Sequence, residues 1–226
     1  HLFDIPAQWE ELRAVLGEDL DPQAELAGLW MGIPHKELSG VSRSLVTFTP
    51  EMFEMMDEVK VAAKHDVTVL LVGETGSGKT HLARLIHELS NRRDERFCTV
   101  ACGALPSDLI ESELFGYVKG AFTGADRDKE GKFAAAGTGT LLLDEIANAS
   151  PQTQEKMLRA IEYGAFERVG GNETRYVDAR VIGVTNVDLP AEAEAGRFRH
   201  DLLDRLAFDV LTVPPLRARP DDIPLL

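Results

Sequence analysis

Cysteine is scarce: Cys98 and Cys102 are the only two in 226 residues. Four apart in a predicted strand, they would share a face at about 13 Å, too far to bridge while that strand holds. A metal site needs about four ligands, and no further Cys or His stands nearby at finger-like spacing. Buried reduced thiols remain, which fits the cytosol. Basic residues are also in deficit, with 24 Lys and Arg against 38 Asp and Glu and a formal net charge of -14. Such a field repels phosphate backbones, so this part of the protein is not expected to grip DNA by itself. No apolar run approaches the roughly 18 residues of a membrane span, and the first residues lack the charged-then-apolar pattern of a signal peptide. The expectation is a cytoplasmic protein with no membrane partner. Internal repeats and low-complexity tracts are missing as well.

What is present suffices for a core: 44% of residues are apolar and 27% charged, in a length that suits one large or two small domains. The chain starts at His1 and stops after Asp222-Ile223-Pro224-Leu225-Leu226, so it is expected to be an excerpt from a longer protein. Residues 1–44 carry two short helical signatures, Trp9, Leu12 and Leu16 after Pro6, then Leu26, Leu29 and Trp30 after the Asp21-Pro22 cap. They read as a helical N-terminal segment or linker. From Thr49 the pattern changes. Thr49-Pro50 opens a helix with Met52, Met55, Met56, Val59 and Ala63 at helical spacing. Short apolar strands are predicted over 67–72, 97–102, 140–143, 180–185 and 208–213, separated by helical segments. This is the pattern of an α/β fold, a parallel sheet flanked by helices on both faces.

Gly73-Glu74-Thr75-Gly76-Ser77-Gly78-Lys79-Thr80 matches the P-loop pattern, leaving a predicted strand and entering a predicted helix, 80–90, striped by Leu82, Leu85, Ile86 and Leu89. Its glycines let backbone N–H groups curl around phosphate oxygens at the positive end of that helix. Lys79 is expected to reach the outer phosphates and Thr80 to hold Mg2+. Leu141-Leu142-Leu143 ends in Asp144 and Glu145, which suit the Mg2+ shell and the base that polarises an attacking water. Carboxylates at a strand end are often plain solvated caps. Their place after a P-loop makes the pair a nucleotidase signature.

Between these motifs lies Gly120-Ala121-Phe122-Thr123-Gly124-Ala125, a large aromatic and a Thr between small residues. It suits a mobile tip that presents Phe122 to a partner, or else a tight turn with Phe122 folded into the core. On this GAFTGA segment the chain resembles the AAA+ central domain of bacterial sigma-54-dependent transcription activators, over roughly residues 45–226. The resemblance implies a P-loop AAA+ domain that hydrolyses ATP in a homo-oligomeric ring, usually a hexamer. It implies a Gly120–Ala125 loop that engages the sigma-54 RNA polymerase holoenzyme and remodels closed complexes. Glu167-Arg168-Val169-Gly170-Gly171 looks like the family's second surface loop, Asn186 like its sensor I, and Arg199 and Arg205 like arginine fingers supplied to the neighbouring subunit. Six apart, those arginines would point to different sides of one helix. Pro214 to Ile223 resembles the exit toward a helical lid, and both lid and DNA-binding domain are expected outside this chain.

Three positions depart from the family. Ala101 stands where an Asn usually restrains the catalytic Glu, Thr80 where many members carry an acidic residue, and no glycine-containing segment is evident near 46–49, which leaves adenine contacts unassigned. Two rival functions are an AAA+ remodeller of another client, opposed by the intact GAFTGA, and a nucleotide-gated scaffold, opposed by the retained Asp144, Glu145 and both arginines.

Overall fold

The computed structural model describes residues 35–225; the two helical signatures expected before them lie outside the described residues. Lys36–Ser39 (β1) pairs antiparallel with Ser44–Thr47 (β2). The boundary expected at 44/45 therefore cuts a hairpin, and the compact unit begins at Lys36. Helix α1 (Pro50–Lys64) has Pro50 in its first turn, where a missing N–H costs nothing, and buries Met52, Met55, Met56 and Val59. There follow β3 (Val69–Val72), α2 (Lys79–Glu88), β4 (Phe97–Ala101) and α3 (Ser107–Phe115). A short ladder of β5 (Gly116–Tyr117) and β6 (Lys129–Glu130) precedes α4 (Lys132–Ala136) and β7 (Thr140–Asp144). Helix α5 (Pro151–Tyr163), capped by the Ser150 hydroxyl, leads into a hairpin of β8 (Ala165–Glu167) and β9 (Thr174–Tyr176). Then come β10 (Arg180–Thr185), α6 (Leu189–Glu194), α7 (His200–Leu206) and β11 (Asp209–Thr212).

Five strands form one parallel sheet in the order β11-β3-β10-β7-β4. Successive side chains on a strand face opposite ways, so the central strands β3, β7 and β10 each feed two cores. Leu141 and Leu143 of β7, with Val181 of β10 and Leu70 of β3, pack into a layer with Phe115, Phe133, Phe166 and Leu202. Leu142, Ile182, Val69 and Leu71 pack on the other face with Met52, Met56, Leu82 and Ile86 of α1 and α2. Burial on both faces explains why these strands read as continuous apolar runs rather than as alternation.

All five predicted strands are present; 180–185 has its expected bounds and the other four have shifted ends. The first starts at Val69, the second stops at Ala101, and the last is trimmed at both ends. Cys102 leaves the strand for a 3-10 turn, Cys102–Ala104, so the two cysteines do not share a strand face; Cys102 is buried and Cys98 half-buried. Burial pushes the Cys102 thiol up to about 12, with the Asp144 charge adding to it, which keeps it protonated. Among the described residues no helix is long and apolar enough to cross a membrane.

Candidate nucleotide site

The sheet order places β10 between β3 and β7, so the loops leaving these three strands emerge side by side at their carboxyl ends. Gly73 leaves β3 with its N–H on Thr185 O of β10 at 3.2 Å, and a Cβ there would stand 2.7 Å from Val213 O. Only glycine lets the ends of β3, β10 and β11 converge this closely. Gly78, at φ 93 and ψ 13, turns the loop into α2. Inside the loop, Lys79 Nζ donates to Gly73 O at 2.8 Å and Glu74 O at 2.6 Å. Burial lowers its pKa against the raising pull of Asp144, Glu145 and Glu74. The ammonium is thus held at the centre of the cradle by carbonyls that phosphate oxygens can replace. Ser77 Oγ is buried there without a hydrogen-bond partner, and an orphaned hydroxyl at the start of α2 fits a phosphate-bearing ligand.

Thr80 Oγ1 donates to Asp144 Oδ2 at 3.3 Å, which joins the P-loop to the end of β7. Glu145, the next residue, is the single non-glycine with positive φ among the described residues, at φ 53 and ψ 49. That conformation costs about 1–2 kcal/mol for a residue with a Cβ. It is held by Asn148, whose backbone N–H and Nδ2 both donate to Glu145 O at 3.1 Å. Asn186, just past β10, donates from Nδ2 to Thr75 Oγ1 at 3.0 Å. Glu74 pairs with Arg217, whose hydrogen bond holds its carboxyl below the usual range.

A cavity of about 340 Å³ opens beside Ser77 and Gly78, with Leu45 and Val46 of β2, Met52 of α1 and Leu216 in its walls. Its polar end is a buried pair, Arg219 and Asp222. Arg219 donates to Ser77 O, while Asp222 accepts from Thr47 Oγ1 at 2.7 Å and Phe48 N at 2.9 Å. Arg219 Nε is buried without a partner. An apolar slot with a few convergent polar atoms, adjoining a phosphate cradle, is the form of a nucleoside pocket. A larger depression of about 700 Å³ beside Phe166 and residues 173–178 contains none of the phosphate-site residues.

Farther along the chain, Phe122 is 43% exposed, its ring edge-on to Tyr117 at 4.9 Å. It is not a core residue. The segment closes on itself through Gly120 N to Ala125 O at 2.8 Å and Ala125 N to Phe122 O at 3.0 Å. Val169 joins it to the second loop, donating to Gly116 O and accepting from Val118 N. Asp128 accepts from Lys119 N and from Arg168 Nη1, each at 2.8 Å, and these two donors hold its carboxyl below the usual range.

Arg199 stands at the N-cap of α7 and Arg205 in its last turn, so they bracket one helix. Arg199 pairs with Asp201 at 2.7 Å, which raises its pKa, and Arg205 pairs with Glu162.

Residues 45–212 match the sigma-54 interaction domain. The chain belongs to that family. It is 48% identical over 187 residues to the Nif-specific regulatory protein of Azotobacter vinelandii, covering 83% of this chain and 36% of that protein. To the Psp operon transcriptional activator of Escherichia coli (strain K12) it is 50% identical over 173 residues, covering 76% of this chain and 53% of that protein. This chain thus spans roughly a third to a half of those relatives. The crystal structure of NtrX from Brucella abortus in complex with ATP superposes at a TM-score of 0.74 and 35% identity, over 80% of this chain and 39% of that chain. The five-stranded sheet is that of a P-loop AAA+ domain.

In this sigma-54 interaction domain, Gly73 to Thr80, Asp144, Glu145 and Asn186 meet at one end of the sheet, whereas Arg199 and Arg205 are engaged with carboxylates of their own surroundings. Sequence reasoning missed the apolar slot beside Ser77, because most of its walls come from residues 44–52 and 216–222, far from the P-loop in sequence. The polar triplet Arg217, Arg219 and Asp222 was visible only as part of an exit segment. Tyr117 and Asp128 were missed as well, since nothing in their local pattern marks the ring that Tyr117 meets or the loop that Asp128 ties.

Proposed function

We propose that residues 45–226 form the ATP-hydrolysing core of a ring motor that activates transcription by engaging sigma-54. The observation that supports this reading most is the separation of two sites on one domain. Lys79, Thr80, Asp144 and Glu145 gather at the strand ends, while Phe122 stands exposed on a loop tied to Arg168. NtrX, the relative in complex with ATP, favours ATP as the ligand. Its base enters the slot beside Val46 and Leu216, with its phosphates on residues 73–80. Thr80 Oγ1 and Asp144 supply hard oxygen ligands for Mg2+, which draws charge off the phosphate oxygens when bound. Lys79 shares that task, Glu145 accepts the proton of the attacking water, and Asn186 aligns that water from its hold on Thr75. Arg199 and Arg205 reach into the site of the neighbour in a homo-oligomeric ring, in this reading a hexamer.

The loop Gly120–Ala125, backed by Arg168 and Val169, contacts the sigma-54 RNA polymerase holoenzyme and remodels closed complexes as ATP turns over. In this reading DNA is engaged only through a domain absent from this chain, as the helical lid is, and the protein works in the cytoplasm. Steady-state ATPase and binding to purified sigma-54 with a transition-state mimic of ATP test this on the ring-forming protein. Turnover together with mimic-dependent binding is expected. Turnover without binding overturns the partner, and binding without turnover overturns the motor.

A further inference from the structure

A Cβ added at Gly103 would collide with a carboxylate oxygen of Glu145, and it would lie 2.7 Å from Glu145 Cδ and 3.2 Å from Glu145 Cβ. All three of the nearest atoms belong to that one side chain. Gly103 is not among the residues with positive φ, so its backbone does not call for glycine. What the missing Cβ serves is the space taken by the Glu145 carboxylate. At its other end, Glu145 is fixed in the left-handed conformation by the two Asn148 donors, so its side chain leaves the backbone in a set direction. Ala101, two residues earlier at the end of β4, offers only a methyl group.

We infer that Gly103 is a positioning residue for Glu145: the 3-10 turn Cys102–Ala104 gives the carboxylate a steric seat, in place of a side-chain hydrogen bond from position 101. This rests on Glu145 as the base. Because the collision falls on the free end of a side chain, Gly103→Ala moves the carboxylate and spares the fold. In the ring-forming protein, Gly103→Ala lowers kcat by about tenfold or more while KM and nucleotide affinity stay within about twofold. A double-mutant cycle on the melting temperature reads the contact without activity: Gly103→Ala shifts the midpoint in the parent but not in Glu145→Ala, where the space is vacant. A kcat within about twofold of the parent overturns the positioning role. So does an equal shift of melting temperature in both backgrounds, which would make Gly103 merely structural. Glu145→Gln tests the underlying reading separately, for near-parent turnover there removes the base, whereas the melting cycle still reports the seat.

Discussion

Glu88 closes the last turn of α2, almost fully buried, where it accepts from Ser42 Oγ at 2.5 Å, Ser42 N at 2.9 Å and Arg84 Nε at 3.3 Å. Burial by itself pushes its pKa up, but the Ser42 hydrogen bonds and Arg84 outweigh it and bring the carboxyl down to about 2. The folded value lies below the ordinary 4.5, so the group stabilises the fold above pH 4.5, and that contribution is lost as pH falls toward 2. What it holds is the turn between β1 and β2, hence the Leu45-Val46 wall of the slot beside Ser77. Melting followed from pH 6 to pH 2.5, values chosen to bracket that window, should fall more steeply in the parent than in Glu88→Gln, which cannot titrate. Parallel curves would mean the network contributes nothing. Residues of this kind were hard to read in the sequence. The P-loop was legible because its glycines, Lys79 and Thr80 are contiguous and the chemistry fixes their order. Asp222 was not, because its partner Thr47 is 175 residues away, and neither was Gly103, whose glycine answers to one side chain on another strand end.

At the level of elements, legibility followed length and burial. Strands covered on both faces stood out as apolar runs, whereas β5, β6, β8 and β9 are two or three residues long and carry no pattern above a turn. Those short ladders nevertheless carry the loop on which Phe122 stands. Asp128 holds both Lys119, next to the first loop, and Arg168 of the second. Asp128→Asn keeps an acceptor for Lys119 but loses the charge facing Arg168, so it should uncouple the loops more than it unfolds them. ATPase activity is expected within a few-fold of the parent, with sigma-54 binding reduced, and Thr123→Ala should show the same split. Phe122→Ala, at a half-exposed ring, should cost clearly less than the about 3–5 kcal/mol of a buried phenylalanine. Melting temperature, turnover and binding on the three variants check this. Loss of binding that appears only together with loss of fold would sink the loop assignment.

At the scale of the whole molecule, the proposed site lacks in cis only a second cationic group, opposite Lys79, to meet the negative charge that develops on the phosphate oxygens in phosphoryl transfer. Arg199 and Arg205 are the candidates, yet within this chain they pair with Asp201 and Glu162 at the two ends of α7. Both pairs are substantially exposed, and such pairs are worth little, about 0–1 kcal/mol, so a neighbour's phosphates can draw either arginine away. An arginine finger is worth about a thousandfold in rate or more, which would far exceed that loss. Hydrolysis per subunit should therefore rise with protein concentration as rings assemble, a dependence that a site finished within one chain lacks. Mixing sharpens the test. Arg199→Ala subunits keep an intact P-loop but give no finger, and Lys79→Ala subunits have no working P-loop but still offer Arg199. Either alone should be nearly inactive, and a mixture should recover part of the parent activity at interfaces where an intact P-loop meets an intact arginine. The same experiment with Arg205→Ala tells which arginine touches phosphate and which supports it, because the supporting one loses less activity alone. No recovery in mixtures shown to assemble would mean that α7 does not act across an interface, and that its two ion pairs are simply how the helix is held.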